Sequence, residues 1–289
     1  MIERVSALTP DATAAVQSLL ADEESRSGRR PLDEVNRLAL TGLTTDAHHS
    51  EHWLAGDGAL TGYAIVAAAG VAELSATDLP HALELLDALR DAYPHGSLWA
   101  HGDRCAAHLA AAERDLPIER ELVLMARQLP LGRPDRPLPD GVTVRPFDSG
   151  LDADDWLTVN RVAFADLPDQ ASWTRADLDL RMAAPWFDPA DFLVARASDG
   201  SLAGFHWTKV DDSAAAGDDV SGEVFVIAVA PAWLGTGLAG ALLDRGLSHL
   251  AASGMRQAHL FVDADNTRAI GLYERAGFHR VDGDRLYRL

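Results

Sequence analysis

The stretch VSGEVFVIAVAPAWLGTGLAGALL, residues 220–243, predicts a strand, a glycine turn and a helix in succession. Residues 223–229 are apolar and rich in β-branched and aromatic side chains, which indicates a buried strand, and Pro231 ends it. The turn carries Gly235 and Gly237, after which leucines recur at helical spacing. Unpaired backbone N–H groups and the helix dipole make such a turn suited to bind an anion.

A second unit of the same kind follows at residues 260–278, LFVDADNTRAIGLYERAGF. Here a strand runs into a polar turn, and a helix carries Asn266 at its start and Tyr273 two turns further on. Either unit alone is a weak signal, because the glycine pattern is neither the dinucleotide fingerprint nor a P-loop. The two units together favour a ligand site more strongly than one.

The two units resemble the acetyl-CoA-binding core of the GCN5-related N-acetyltransferase (GNAT) superfamily. In that superfamily the first turn follows Q/R-x-x-G-x-G/A, and residues 234–239 read LGTGLA here. The second helix begins D-N-x-x-A-x-x-x-Y, which residues 265–273 match closely. Leu234 and Gly235 stand where the family has Gln or Arg, so the resemblance implies pyrophosphate binding by backbone N–H groups alone.

Composition limits the function classes. The 289 residues are 47% hydrophobic, which suffices for one large or two ordinary domains. A net charge of −19 argues against binding to nucleic acid or an anionic membrane, since both need basic patches. No apolar run is long enough for a membrane span, and the N-terminus lacks a secretory signal. We therefore expect a monomeric, cytoplasmic protein without nucleic-acid or membrane partners.

Cysteine and histidine usage predicts no metal. The single Cys105 excludes an internal disulfide, and among its neighbouring alanines it is interpreted as a helix core residue. His48, His49 and His52 lie close in the sequence, but no cysteine or acidic set completes a ligand set, so we interpret them as loop histidines.

The order of elements predicts two α/β (α+β) halves of similar construction. Four prolines in residues 130–139 predict a stiff linker at 130–140 between an N-terminal domain, 1–129, and a C-terminal domain, 141–289. With the resemblance, this implies tandem GNAT-type domains, each a mixed, mostly antiparallel sheet flanked by helices. After the strand at 71–75 the first half has no glycine turn, so we do not expect it to bind CoA in the usual way.

Three local predictions concern element ends. Asp11 is predicted to cap a first helix at 12–22, and Pro31 to begin a second helix. Two short terminal strands are predicted near 278–281 and 285–288.

Further segments are similar to the mycothiol synthases, a family of two-domain actinobacterial GNAT enzymes. The most specific is GFHWTK at 204–209 beside GEVFVI at 222–227. The likeness covers 140–289 well and the first half loosely. It implies transfer of acetyl from acetyl-CoA to the cysteinyl amine of a small thiol-sugar, cysteinyl-glucosaminyl-inositol. The other segments that carry the likeness are AFA at 163–165, PDQ at 168–170, WT at 173–174, WFDP at 186–189 and LWAHG at 98–102.

The family's functional residues carry over by position. Glu223 corresponds to the proposed base, and Tyr273 to the acid or the hydrogen-bond donor to the thiolate. The acceptor contacts correspond to Glu34, Asp169, Lys209, Glu223 and Phe261, where Asp169 replaces a Glu and Phe261 a Tyr. The cofactor contacts correspond to Ile227, Ala228, Val229, Leu234, Gly235, Thr236, Gly237, Leu238, Ala239, Gly240, Asn266, Thr267, Arg268, Ala269, Ile270 and Gly271.

Each candidate side chain also has an interpretation without function. Glu223 is then an acid at a strand end and Lys209 a solvated charge. Tyr273 is a core residue of its helix, Glu34 an acid favoured in a first helical turn, and Asp169 part of a Pro-Asp turn. The pair at 186–187, Trp-Phe, is interpreted as packing. Two alternative functions stay open: an N-acetyltransferase for a peptide N-terminus or another small amine, and a non-catalytic CoA-binding or structural module.

Overall fold

The computed structural model describes residues 1–40, 50–67, 70–165, 167–210 and 220–289. Its strands are β1 Ile2–Val5, β2 Ser50–Gly56, β3 Leu60–Ala67, β4 Val71–Ala76, β5 Ser97–His101, β6 Ile118–Gln128, β7 Thr143–Pro146, β8 Phe192–Arg196, β9 Leu202–Lys209, β10 Ser221–Val229, β11 Gln257–Asp263 and β12 His279–Arg288. Its helices are α1 Pro10–Ser27, α2 Glu34–Leu40, α3 Leu79–Ala92, α4 Ala106–Glu113, α5 Ser149–Ala163, α6 Pro168–Ala171, α7 Arg175–Met182, α8 Leu238–Ala252 and α9 Thr267–Arg275. Within these ranges no helix has the length and apolar character that crossing a membrane requires.

The chain divides into two compact units. Unit 1 comprises Met1–Val123, Asp263–Asp265 and Asp282–Leu289, and unit 2 comprises Leu124–Val262 and Asn266–Val281. Strands β6 and β12 therefore contribute residues to both units.

Unit 1 contains a mixed sheet in the order β1-β2-β3-β4-β5-β12. All neighbours are antiparallel except β4 and β5, which are parallel. Leucines of α3 and alanines of α4 pack on one face against Trp53 and Leu98. On the other face, Val16 of α1 packs against Tyr63 and Ile65. Both faces are covered because the strands are apolar on both sides.

Unit 2 repeats this arrangement with the order β11-β10-β9-β8-β7. Of the pairs described in this order, β10 and β11 are parallel and the others are antiparallel. Helices α5 and α7 cover one face with a core around Trp156 and Trp207, and α8 covers the other with Leu238 and Leu242. The predicted fold class, a mixed and mostly antiparallel sheet flanked by helices in each half, is thus confirmed.

The parallel strand pairs of the two units also share their register. Glu223 is the third residue of β10 and pairs with His259, while Glu73 is the third residue of β4 and pairs with Trp99. Glu73 therefore occupies in unit 1 the position that Glu223 occupies in unit 2.

In unit 1 this position is filled by a buried ion cluster. The ring nitrogens of His101 lie 2.9 Å from an oxygen of Glu73 and 2.9 Å from an oxygen of Asp284. Arg29 donates to Asp284 over 2.7 Å, and Asn36 donates to Glu73 over 2.9 Å. Burial alone would lower the pKa of His101, but hydrogen bonds and charge from Asp284 and Glu73 outweigh it and raise the pKa to about 10. His101 is therefore an imidazolium between two carboxylates.

Three local predictions were wrong. Thr9 caps α1 instead of Asp11, because its hydroxyl accepts the N–H of Ala12 and leaves Asp11 in the first turn. The second helix begins at Glu34, after Asp33 accepts the N–H of Asn36, and Pro31 precedes it.

The two predicted terminal strands are one strand, β12. It stays continuous because Asp284 to Arg288 pair with β5 without interruption. Gly283 fits there because the carbonyl oxygen of Leu122 lies 2.7 Å from the point where a Cβ would stand.

We predict that His101→Gln destabilises the protein by on the order of 3 kcal/mol at pH 6, since it removes the cation between two buried carboxylates. The folded pKa lies above the ordinary value, so the stabilisation is complete below pH about 6.5 and is lost as pH rises towards about 10. Urea unfolding of both proteins across this range should therefore show their difference shrinking.

The control for this prediction is His81→Gln, which removes an exposed histidine beside Asp78 and should change stability by less than about 1 kcal/mol. A His101→Gln deficit that stays constant from pH 6 to pH 10 would contradict the buried imidazolium.

Candidate active site

Strands β10 and β11 are paired over only a short distance. Their parallel register runs from Ser221 opposite Gln257 to Glu223 opposite His259. Both strands continue past this point, β10 to Val229 and β11 to Asp263. In the described part of the chain, however, no residues beyond Glu223 and His259 pair between the two strands. The strands therefore separate beyond Glu223, which stands where the gap between them begins.

A bulge in β10 lies at the start of this gap. The register with β9 shifts between Val224 and Val226, so Phe225 is an extra residue. As a result Phe225 and Val226 both pack towards Trp207, and the following Ile227 packs towards α8. A bulge takes backbone groups out of the strand ladder, so polar main-chain groups become available beside the gap.

The predicted glycine turn follows β10 directly. A short 3₁₀ turn at Pro231–Trp233 leads to Gly235 and Gly237, whose φ angles are +81° and +90°. Only glycine adopts these angles without strain. A Cβ on either residue would meet nothing within 4 Å, so both face open space.

Helix α8 begins at this turn, where its N-cap residue Gly237 has no side chain to cap it and the N–H of Leu238 donates to the Thr236 hydroxyl over 3.4 Å. Its first backbone N–H groups, at 238–240, have no partners within the helix ladder. The structure thus brings the predicted cofactor residues 234–240 into one turn that presents N–H groups. Leu234 is exposed there.

A basic side chain that the sequence did not predict lies beside this turn. The Arg136 guanidinium covers the first turn of α8, where its Nη1 fills the space that a Cβ on Gly240 would need. One carboxylate oxygen of Asp244 holds Arg136 in two ways. It accepts the backbone N–H of Arg136 over 3.0 Å, and it lies 3.3 Å from the side-chain Nε. The prediction that backbone N–H groups alone bind the pyrophosphate therefore leaves out the nearby Arg136 cation.

Asp244 explains how the Pro-rich segment reaches α8. Its carboxylate is fully buried and also accepts two 2.7 Å hydrogen bonds from Arg133. Burial would raise the pKa of Asp244, but Arg133 and Arg136 lower it. The available sequence signal was an acid within the apolar run of α8, opposite two arginines in the 130–140 segment.

The second predicted turn leads into α9. Asn266 caps this helix, since its side-chain oxygen accepts the N–H of Ala269 over 3.0 Å. The predicted cofactor residues 266–271 thus form the cap and first turns of α9. Because β10 and β11 are parallel, both turns follow the strands at the same edge of the sheet.

Tyr273 lies two turns into α9. Its side chain is buried, and its ring packs edge-on against Phe278 at 5.8 Å between centroids. Burial raises the pKa of Tyr273 to about 12. Its hydroxyl donates no hydrogen bond within the described part of the chain. The residue is therefore both a core residue and a phenol with a free donor.

Three predicted residues lie at the narrow end of the gap. Glu223 pairs with Lys209 across β9 and β10, which places both side chains on one face of the sheet. Phe261 stands on β11 two residues beyond His259, the partner of Glu223, and so faces the same way.

Lys209 is not a solvated charge, so that interpretation was wrong. The residue is only 5% exposed. Its ammonium lies 4.4 Å from the centroid of the Trp186 ring and 5.3 Å from that of Phe225.

The remaining candidates are placed less fully. Glu34 begins α2 in unit 1. Asp169 lies in α6, and its side chain is outside the described part of the structure. His48 and His49 also lie outside the described residues, while His52 is hydrogen-bonded to Tyr63. Cys105 is buried at the start of α4, and burial raises its pKa to about 12, in agreement with a core residue.

Comparisons with known proteins agree with this geometry. The model of the acetyltransferase (GNAT) family matches residues 156–278. A mycothiol acetyltransferase of Streptomyces griseus is 39% identical over 99% of this chain and 95% of its own length. One of Streptomyces avermitilis is 41% identical over 99% and 94%.

A solved structure shares the fold of the whole chain. It is a tandem GNAT protein from the clavulanic acid biosynthesis pathway, 15% identical, with a TM-score of 0.72 over 100% of this chain and 98% of its own. Identity near 40% over almost the full length is the stronger finding. The chain therefore belongs to the mycothiol acetyltransferase family and is an acetyltransferase of the GNAT type.

Proposed function

We propose that the protein transfers the acetyl group of acetyl-CoA to the cysteinyl amine of cysteinyl-glucosaminyl-inositol, giving mycothiol. One observation carries the proposal: β10 and β11 separate beyond Glu223, and the N-termini of α8 and α9 follow them at one edge of the sheet. A thioester can lie between the strands while its phosphates stay at the edge. The relatives' name, mycothiol acetyltransferase, supports an acceptor from mycothiol synthesis.

Acetyl-CoA binds along this edge and into the gap. Its pyrophosphate lies at the N–H groups of residues 235–240, where the dipole of α8 favours an anion. The Arg136 guanidinium adds positive charge there, which matters in a chain of net charge −19. The pantetheine arm follows residues 227–229 between the strands, beside the α9 cap at 266–271.

The thioester carbonyl is polarised by the backbone beside the bulge. A main-chain N–H in the region 227–229, where β10 still pairs with β9 but has no described register with β11, donates to the developing oxyanion. Because the strand fixes this donor before the reaction, no reorganisation is needed when the charge forms.

Glu223 acts as the base for the amine. An α-amine with a pKa of about 7.7 is already neutral in roughly one molecule of six at pH 7, a cost of about 1 kcal/mol. Glu223 accepts the proton that the amine nitrogen must lose, either directly or through one water. Lys209, the residue opposite Glu223 in the β9 and β10 pair, donates to an acceptor hydroxyl.

Tyr273 steadies the leaving thiolate by a hydrogen bond. A thiol has a pKa of about 8.5, whereas the buried phenol has one of about 12. Complete proton transfer from Tyr273 would therefore cost about 5 kcal/mol. A hydrogen bond with late or partial transfer avoids this cost.

The proposed reaction is tested by incubating the protein with acetyl-CoA and either cysteinyl-glucosaminyl-inositol or a panel of peptides with free N-termini. We expect CoA release only with the thiol-sugar. Turnover on peptides alone would favour the alternative N-acetyltransferase. Absence of CoA binding at high micromolar concentration in isothermal titration would leave a non-catalytic module.

Glu223→Gln is expected to lower kcat by about a hundredfold while the Kd for acetyl-CoA changes less than about twofold, because it removes the base and keeps the shape. The matched control is Glu274→Gln, an exposed glutamate beside Tyr273, which should leave kcat unchanged. Unchanged turnover in Glu223→Gln would show that another group accepts the proton.

A further inference from the structure

An aromatic clamp, defined here as Trp186 and Phe225, surrounds the ammonium of Lys209. The ammonium lies 4.4 Å from the ring centroid of Trp186 and 5.3 Å from that of Phe225. The two rings meet edge to face with centroids 5.5 Å apart. These distances lie within the range in which an aromatic face attracts a cation.

The clamp is built into the core instead of lying on the surface. Trp186 and Phe225 each contact Trp207, with centroid distances of 5.7 and 5.3 Å, and Trp207 is fully buried on β9. Lys209 is two residues further along the same strand and 5% exposed. A lysine chain has four flexible carbons, so packing at this depth greatly narrows the positions of its ammonium.

The position of the clamp ties it to the reaction. Phe225 is the extra residue of the β10 bulge, and Glu223 stands two residues before it and opposite Lys209. Trp186 comes from the segment after α7. One ring thus belongs to the bulge beside the gap, and the other approaches the ammonium from a different part of unit 2.

We propose that Trp186 is a positioning residue for the acceptor: with Phe225 it fixes the Lys209 ammonium so that it donates to an oxygen of the hydroxyl-rich acceptor. The inference rests on the proposed function. Trp186 acts through Lys209 and leaves acetyl-CoA binding alone, since the anion-binding turn is formed by residues 235–240. It therefore determines the KM for the acceptor.

A double-mutant cycle separates this role from packing. The proteins are the wild type, Trp186→Leu, Lys209→Met and the double variant, each assayed for acceptor KM, kcat and acetyl-CoA Kd. We expect Trp186→Leu to raise the acceptor KM about tenfold, with the acetyl-CoA Kd within about twofold of wild type. In the Lys209→Met background the same change should add nothing further.

Two further variants test the ring and the fold. Trp186→Phe keeps an aromatic face and should raise the acceptor KM only about threefold, against about tenfold for Trp186→Leu. Phe187→Leu is the matched control: Phe187 is the neighbouring residue and packs on Trp207 at 5.7 Å, so its loss should leave the acceptor KM within about twofold of wild type. If Trp186→Leu does not fold, the cycle is run with Trp186→Phe, which should raise KM by about threefold only when Lys209 is present.

If the Trp186→Leu and Lys209→Met changes raise the acceptor KM by factors that multiply in the double variant, the inference is overturned, because Trp186 would then act independently of the ammonium. An equal rise of acceptor KM in Phe187→Leu would also overturn it, as would weakened acetyl-CoA binding in Trp186→Leu. If the wild type does not acetylate the acceptor at all, the proposed function fails instead.

Discussion

The end of pairing between β10 and β11 is the constraint on which the rest of unit 2 depends. A parallel pair that continued past Glu223 and His259 would have its backbone groups satisfied and no room between the strands. The bulge at Phe225 turns consecutive side chains towards one core and re-aims the strand at the turn of Gly235 and Gly237. The open glycine turn and the buried Lys209 ammonium both follow from this local geometry.

The same strand position serves two different purposes in the two units. Glu73 and Glu223 share the register of their parallel pairs, but Glu73 is bound by His101 and Asn36 in a buried cluster. In unit 2 the residue opposite Glu223 on β9 is Lys209, and the ammonium of Lys209 lies beside two aromatic rings. A carboxylate with its oxygens already occupied cannot serve as a base, so the cluster accounts for a structural role of this position in unit 1.

The sequence was sufficient for what local chemistry determines. The strand before Pro231, the two positive-φ glycines and the Asn266 cap follow from side-chain patterns within a few residues. The fold class followed from the repeated order of elements together with the resemblance to the GNAT superfamily. The choice of Thr9 over Asp11 as a cap was missed because both residue types cap helices and only the backbone decides between them.

What could not be predicted are contacts between distant segments. The bulge at Phe225 depends on its register with β9, and the Lys209 clamp needs Trp186 from beyond α7. Arg136 reaches the α8 turn only because the buried Asp244 draws the Pro-rich segment onto the helix. The segment whose prolines predict a stiff linker therefore also packs on α8. Its prolines alone do not indicate this contact.

The most direct test of the central claim is a crystal structure of the protein grown with acetyl-CoA. We expect the pyrophosphate on the N–H groups of residues 235–240 and the acetyl group between β10 and β11, beside Glu223. A cofactor bound elsewhere, with the space between the two strands empty, would contradict the claim that their separation forms the site.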